Sequence, residues 1–570
     1  MKNKIYLLLL LSTLGIVSCK KALTEVPLDF YSPENAYTNK AQFQSALAHI
    51  YLNIRTNFYA TTDAFSNYDM LGIDVDLADN RSGVTYVSYF NWNTLNADNG
   101  FANKWWGNLY GMISRANTII DRANQPAAVW TSEAEKNAIV GEAKFLRAFC
   151  YRFLANMWGA VPLVANETKV PKFDYKRSSQ DSIYQFCKSD LQFATQWMPR
   201  INTQQGGRAP REAAFHLLSE INIAMKDYQG AISAADSVIT GPNNRLMTNR
   251  FGAFINFTSR NPTYQGAAKP YGDVYFDLFQ DGNFNWSQGN KEAIWNIEQD
   301  PNIIGGNNTD VNASGGFFTM ERWWGPNPNN VKDKNGVSNF LIDTLIGRPV
   351  GALIASKYAD SLIWRYKDDW NKDIRNSAFN IQRTWYYTNP SSAFYGQAIT
   401  AANIATPTTF KVECSPQFKK AVSAVHYRKF QDALSKQWHD NGRTYKDWYI
   451  MRLAETYLLR AEANFLKGNL TSAADDINVI RRRANATPVD AGDVTLDLIL
   501  DERARELYQE EFRLNTLMRM GKLAEYLNKY NGFIKSNGYT LDNHVNKMPI
   551  PNSVKQANTG ADMGQNPGYN

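Results

Sequence analysis

The chain has 570 residues, 44% apolar and 20% charged, which is enough to bury a sizeable core and excludes wholesale disorder. Lys and Arg number 61 against 54 Asp and Glu, so the formal charge is +7, too thin for a nucleic-acid footprint. Aromatic residues reach 13%, with 15 Trp, 30 Tyr and 30 Phe, a surplus that points to aromatic side chains in a cleft or on a surface.

Lys2 and Lys4 precede an apolar stretch from Ile5 to Leu11 that continues through Leu14, Ile16 and Val17. It suits a signal h-region and falls short of the ~20 residues that span a bilayer. It runs into Ser18-Cys19, and a small residue directly before Cys resembles a bacterial lipobox. Residues 1–18 are therefore read as a lipoprotein signal peptide, Cys19 as the lipidated residue and 19–33 as a tether. Several acyl chains anchor firmly where one would be marginal. No later stretch is apolar enough to span a membrane, so the body reads as exported and held at one end. Cys150, Cys187 and Cys414 remain, which is no disulfide framework. Cys150 and Cys187 fall on apolar helix faces, as buried thiols do.

Ser32 before Pro33-Glu34 marks a helix start. Helical patterns then cover roughly 101–124, 179–198 and 209–239. Between them Ile139, Ala143, Leu146, Cys150, Phe153 and Met157 form one apolar stripe that ends at Gly159. Trp105, Trp106 and Trp158 belong to such stripes and are expected in the core. A later stripe takes in Ile450, Leu453, Ala454, Tyr457, Leu458, Ala461 and Phe465, and a second helix follows from Thr471 to about Ala484. Lys226 to Ile239 and Lys467 to Ile480 echo each other, each running from a Lys at a turn to a terminal Val-Ile, with small Ala residues between. That is the look of degenerate tetratricopeptide hairpins. The fold class is thus mainly all-α: a helical hairpin scaffold over about 34–240 and 421–530, and a large irregular part over about 56–100 and 241–420. The irregular part is rich in Gly, Asn, Pro and aromatics, as in Asp281-Gly282-Asn283-Phe284-Asn285-Trp286 and Thr384-Trp385-Tyr386-Tyr387.

Five His form no metal spacing, and there is no C-x-x-C, phosphate loop, nucleophile elbow or dinucleotide fingerprint. No cofactor or metal is expected. His216 falls in an apolar helical pattern and reads as a packing residue. Glu455 and Glu462 share a helix face with Arg452 and Arg460 and are expected to pair with them. Glu502, Arg503, Arg505, Glu506, Glu510, Glu511 and Arg513 read as salt-bridge support.

A resemblance covers the chain. Glu142-Ala143-Lys144-Phe145-Leu146-Arg147-Ala148-Phe149, then Tyr151 and Gly159-x-Val161-Pro162-Leu163, looks like the first signature of the RagB/SusD family. Met451 to Ala463, continued by Asp476-Ile477-Asn478-x-Ile480-Arg481-x-Arg483-Ala484, resembles the second. Leu500 to Leu507 with Met520-Gly521-Lys522-Leu523 resembles the third, and Met548-Pro549-Ile550-Pro551 and Gln565-Asn566-Pro567-Gly568-Tyr569 resemble the family's end. The resemblance implies one domain over 34–570. It also implies an outer-membrane lipoprotein facing the cell exterior that binds oligosaccharide or polysaccharide, caps a SusC-like TonB-dependent transporter as its lid, and is not an enzyme. A peptide binder in the same role and a lipid-anchored glycoside hydrolase are the alternatives. The signatures are scaffold and do not locate the site. The loop aromatics Trp92, Trp286, Trp323 and Trp324, with Asn91 and Arg322 beside them, are the expected stacking platform. Asp74, Arg81 and Arg375 are the expected polar partners.

Overall fold

The structure is a computed structural model. It describes residues 36–59, 69–72, 75–80, 91–259, 269–300, 303, 320–338, 347, 349–422 and 445–569. Cys19, Asp74, Arg81, His439 and the tether lie outside the described residues.

Among the described residues nine helices build the scaffold: α1 (Lys40–Tyr59), α2 (Gly100–Ala123), α3 (Glu133–Trp158), α4 (Gln180–Trp197), α5 (Arg211–Ala224), α6 (Tyr228–Ile239), α7 (Leu453–Lys467), α8 (Leu470–Arg483) and α9 (Leu496–Leu507). Each helix from α2 to α7 packs on the next, so the array is continuous although residues 240–452 separate α6 from α7. The seam there is made by Ile223, Ala231, Leu459 and Ala463, where Ala lets the backbones come close.

α3 carries more than the predicted stripe. Ser132 caps its start by accepting from Glu135 N at 3.1 Å, and Glu135 in turn accepts from Thr131 N at 2.9 Å. Gly159, at φ +75°, ends it. From Ile139 onward every residue but Lys144 is buried, because α2, α4 and the helix after α9 surround it. Its buried charged members are accordingly paired. Arg147 pairs with Asp190 at 2.8 Å, Arg152 with Glu220 at 2.9 Å, and Glu142 takes Arg208 and the Tyr51 hydroxyl.

The repeated hairpin is real, with a register one residue from the sequence match. Lys226 sits at φ +62° and Gly468 at φ +89°. Asp227 N donates to Asn222 O, and Asn469 N to Asn464 O, both at 2.8 Å. Lys226 therefore superposes on Gly468, not on Lys467, and takes up a left-handed conformation that favours Gly. Ile450 also departs from expectation. It lies on a strand, and α7 begins only at Leu453.

The strands β1 (Ala78–Asn80), β2 (Ala293–Ile297), β3 (Leu353–Ala355) and β4 (Trp448–Arg452) form two antiparallel pairs, β1 with β3 and β2 with β4. They fasten the loop-rich segments to each other and to the start of α7. Part of the aromatic surplus fills a separate small core inside that region, from Phe254, Tyr271, Phe276, Val331, Trp385, Tyr387, Ile399, Ile404 and Cys414. Cys150, Cys187 and Cys414 are free and buried.

Candidate functional site

Most of the expected platform is core. Trp92 is 2% exposed, and the Asn91 side chain is spent capping the turn that carries it, accepting from Asn93 N at 3.2 Å. Trp323 and Trp324 are buried. The Trp324 indole donates to the Tyr508 hydroxyl at 2.8 Å, and Arg322 lies 5.1 Å from the Trp323 ring centroid. These loops fold back onto the scaffold, so their rings present no free face. Trp286 is half-buried. Its indole donates to Asn243 O at 2.7 Å, and the Lys291 ammonium lies 3.0 Å from its ring centroid, covering one face.

Arg375 is corrected outright. It is buried, and its guanidinium pairs with Asp373 at 2.6 Å, Glu502 at 2.8 Å and Glu506 at 3.0 Å. It belongs to an ion network through the centre of the molecule. Arg481 pairs with Glu502 and Asp369, Arg452 with Glu292, Glu506 and Glu510, and Arg483 with Glu292 and Glu506. Burial raises the Glu506 carboxyl, but Arg483, Arg452 and Arg375 outweigh it and hold the group at about 2. The salt-bridge reading of the third signature thus stands, and the partners come from elsewhere in the fold. Glu455 faces Arg503 and His216, Glu462 faces Arg519, and Arg460 takes Asp236 and Asp476, so the expected pairing within α7 is not formed. His216 is a buried packing residue, its Nδ1 2.8 Å from the Thr456 hydroxyl.

One cleft in the loop-rich part does combine an open aromatic face with polar groups. It measures about 520 Å³ and is lined by Trp370, Asn376, Ser377, Arg383, Tyr386 and Lys419, among others. Trp370 is 38% exposed, and the Arg383 guanidinium stacks 4.8 Å from its centroid. Both are held. Asn376 Nδ2 donates to Trp370 O at 2.6 Å, and Arg383 Nη2 donates to Asp360 O at 2.7 Å. The turn just before Trp370 carries two non-glycine residues at positive φ, Lys367 at +44° and Asp368 at +60°. Lys367 is fixed there by Asp490 and Asp493, each at 2.8 Å. A volume of this size, an indole face, an amide, hydroxyls and a guanidinium suit a small polyhydroxylated ligand. Sequence reasoning missed Trp370. The signal that singled out Trp92, a Trp between short polar residues, is also present in Asp369-Trp370-Asn371.

Among the described residues no group of three or more His, Cys, Asp or Glu is placed to hold a metal ion, and no helix is long and apolar enough to cross a membrane.

Two family models match the chain, one described as the SusD family over residues 291–569 and one as starch-binding associating with outer membrane over residues 28–223. The chain belongs to the SusD/RagB family. Within the family it is similar to SusD-like protein P25 of Formosa agariphila, 24% identical over 95% of this chain and 94% of that protein. It is also similar to the starch-binding protein SusD of Bacteroides thetaiotaomicron, 42% identical over 25% of this chain and 27% of that protein. A solved laminarin-binding SusD-like protein shares the fold at a TM-score of 0.65, with 19% identity, 94% of this chain and 100% of that one covered.

Proposed function

We propose that this SusD-family protein captures oligosaccharides at the cell surface and delivers them to a SusC-like TonB-dependent transporter, which it closes as a lid. It is anchored in the outer membrane through lipid on Cys19 and faces the exterior. The observation that carries the reading is the Trp370–Arg383 stack at the mouth of the polar cleft. An indole face suits the apolar face of a pyranose, while the Asn, Ser and Arg groups around it suit hydroxyls. Relatives named for starch and laminarin support the same ligand class. On this reading the cleft holds a ligand without turning it over. Glycoside hydrolysis takes two carboxyl groups across the bond. Among the described residues Asp373 is the one carboxylate on this lining, and it is committed to Arg375. A glycan array followed by calorimetric titration tests the reading. The mature protein should bind at least one soluble oligosaccharide without releasing reducing ends. Binding confined to peptides, or turnover of the bound glycan, would overturn it.

A further inference from the structure

The cleft beside Trp370 carries more positive than negative charge. Lys372, Arg383 and Lys419 line it, against Asp373 as the one carboxylate among the described residues of the lining. Asp373 brings no net charge, because its two oxygens take Arg375 Nε at 2.9 Å and Nη2 at 2.6 Å. Three further acids stand outside the lining. Asp360 reaches Arg383, accepting from Nε at 3.3 Å through its side chain and from Nη2 at 2.7 Å through its carbonyl. Asp273 lies behind Ser377, whose hydroxyl donates to it at 3.1 Å, and burial raises its carboxyl, which favours the neutral form. Asp368 is exposed in the turn before Trp370.

The cations are less fully answered. Lys372 is exposed, and among the described residues no carboxylate pairs with it. Lys419 is buried in the wall, its ammonium donating to the Tyr271 hydroxyl at 2.7 Å. Arg383 also donates from Nη1 to Asn376 O at 3.4 Å, so three of its five N–H groups are taken and one on each terminal nitrogen is left. Burial pulls this guanidinium down by more than Asp360 raises it, so the ion pair does not replace all the water that the group has lost. A neutral ring laid over Trp370 would remove more of that water and return no charge. An oxyanion on the ring would return charge-assisted hydrogen bonds, and the planar Arg fork fits a carboxylate or a sulfate.

We propose that the ligand of this cleft is an acidic glycan, whose ring stacks on Trp370 and whose carboxylate or sulfate is met by Arg383 and Lys372. The inference rests on the glycan-binding reading above and narrows it. Uronic acids and sulfate esters share the required chemistry, a fixed oxyanion on a sugar ring. A cleft with this charge also draws such ligands in from solution, an effect that salt weakens.

A glycan array of neutral, uronate-bearing and sulfated oligosaccharides, probed with the mature protein, tests the inference. The strongest binders should carry carboxylate or sulfate. Calorimetric titration of the best one should then weaken more than tenfold when its charge is removed, by carboxyl reduction for a uronate or by desulfation for a sulfate ester, and the treatment that acts names the source. Raising NaCl from about 0.05 to about 0.5 M should weaken it in the same direction. Lys372 is exposed, so its variants keep the fold. Lys372→Gln should cost about threefold in affinity and Lys372→Glu about tenfold or more, with an unchanged circular dichroism spectrum. Neutral glycans that bind as tightly as their acidic counterparts, and lose affinity in Trp370→Ala, would overturn this inference and leave the glycan-binding reading standing. Acidic glycans that bind Lys372→Glu as tightly as the native protein would overturn it too. Binding to no glycan would overturn both.

Discussion

Arg375→Gln separates a ligand residue from a structural one. The guanidinium meets three buried carboxylates, Asp373, Glu502 and Glu506. Glu502 keeps Arg481 and Arg505 when Arg375 is removed, and Glu506 keeps Arg452 and Arg483. Asp373 has Arg375 as its ion-pair partner and is itself buried, so it bears most of the loss. Breaking one side of a buried pair costs about 3–5 kcal/mol, because the remaining charge stays out of water uncompensated. Gln retains some hydrogen bonding, which places the expected cost toward the lower end, about 3 kcal/mol. The assay is denaturant unfolding followed by far-ultraviolet circular dichroism and Trp fluorescence, with glycan affinity measured on the folded variant. The midpoint should fall clearly, while affinity changes less than about twofold. A variant with an unchanged midpoint that no longer binds glycan would refute the reasoning and return Arg375 to the ligand site.

Trp92→Ala and Trp324→Ala should each destabilise by about 3–5 kcal/mol, as buried aromatic truncations do, in the same unfolding assay. Leu458, wholly buried in α7, should cost about 2–5 kcal/mol when changed to Ala, with ligand affinity unaltered. Glu506 sits at about 2 when folded against an ordinary 4.5. Its stabilisation is therefore complete above pH 4.5 and lost as pH falls toward 2, about 3 kcal/mol in all, measurable as a melting temperature that drops across that window. Cys19→Ala should abolish acylation and shift the protein out of the detergent phase on phase separation.

The helical half was legible because its signals are local. Periodicity gives α4 and α8 to within a residue or two, and the α3 stripe stops at Gly159 as the helix does, although α3 begins at Glu133, ahead of the first stripe residue Ile139. What local pattern cannot carry is partner choice across the chain. Arg452 and Glu455 look like neighbours on one helix, yet the first lies on β4 and finds Glu292, Glu506 and Glu510, while the second finds Arg503. The loop aromatics failed for a related reason. A Trp between Asn residues reads as exposed, but whether its ring turns inward depends on which distant segment packs over it. Trp92 is covered by the scaffold, whereas Trp370, in an equally polar setting, is left open beside Arg383. The order of the signatures along the chain, by contrast, was enough to give the family.

Calorimetric titration of the cognate oligosaccharide against the native protein and against Trp370→Ala tests the central claim most directly. Removing an exposed stacking face, with the buried core untouched, should weaken binding by more than tenfold, about 1.4 kcal/mol or more, with an unchanged circular dichroism spectrum. Equal affinity in the two proteins would show that the glycan is held elsewhere and that the Trp370–Arg383 cleft is not the binding site.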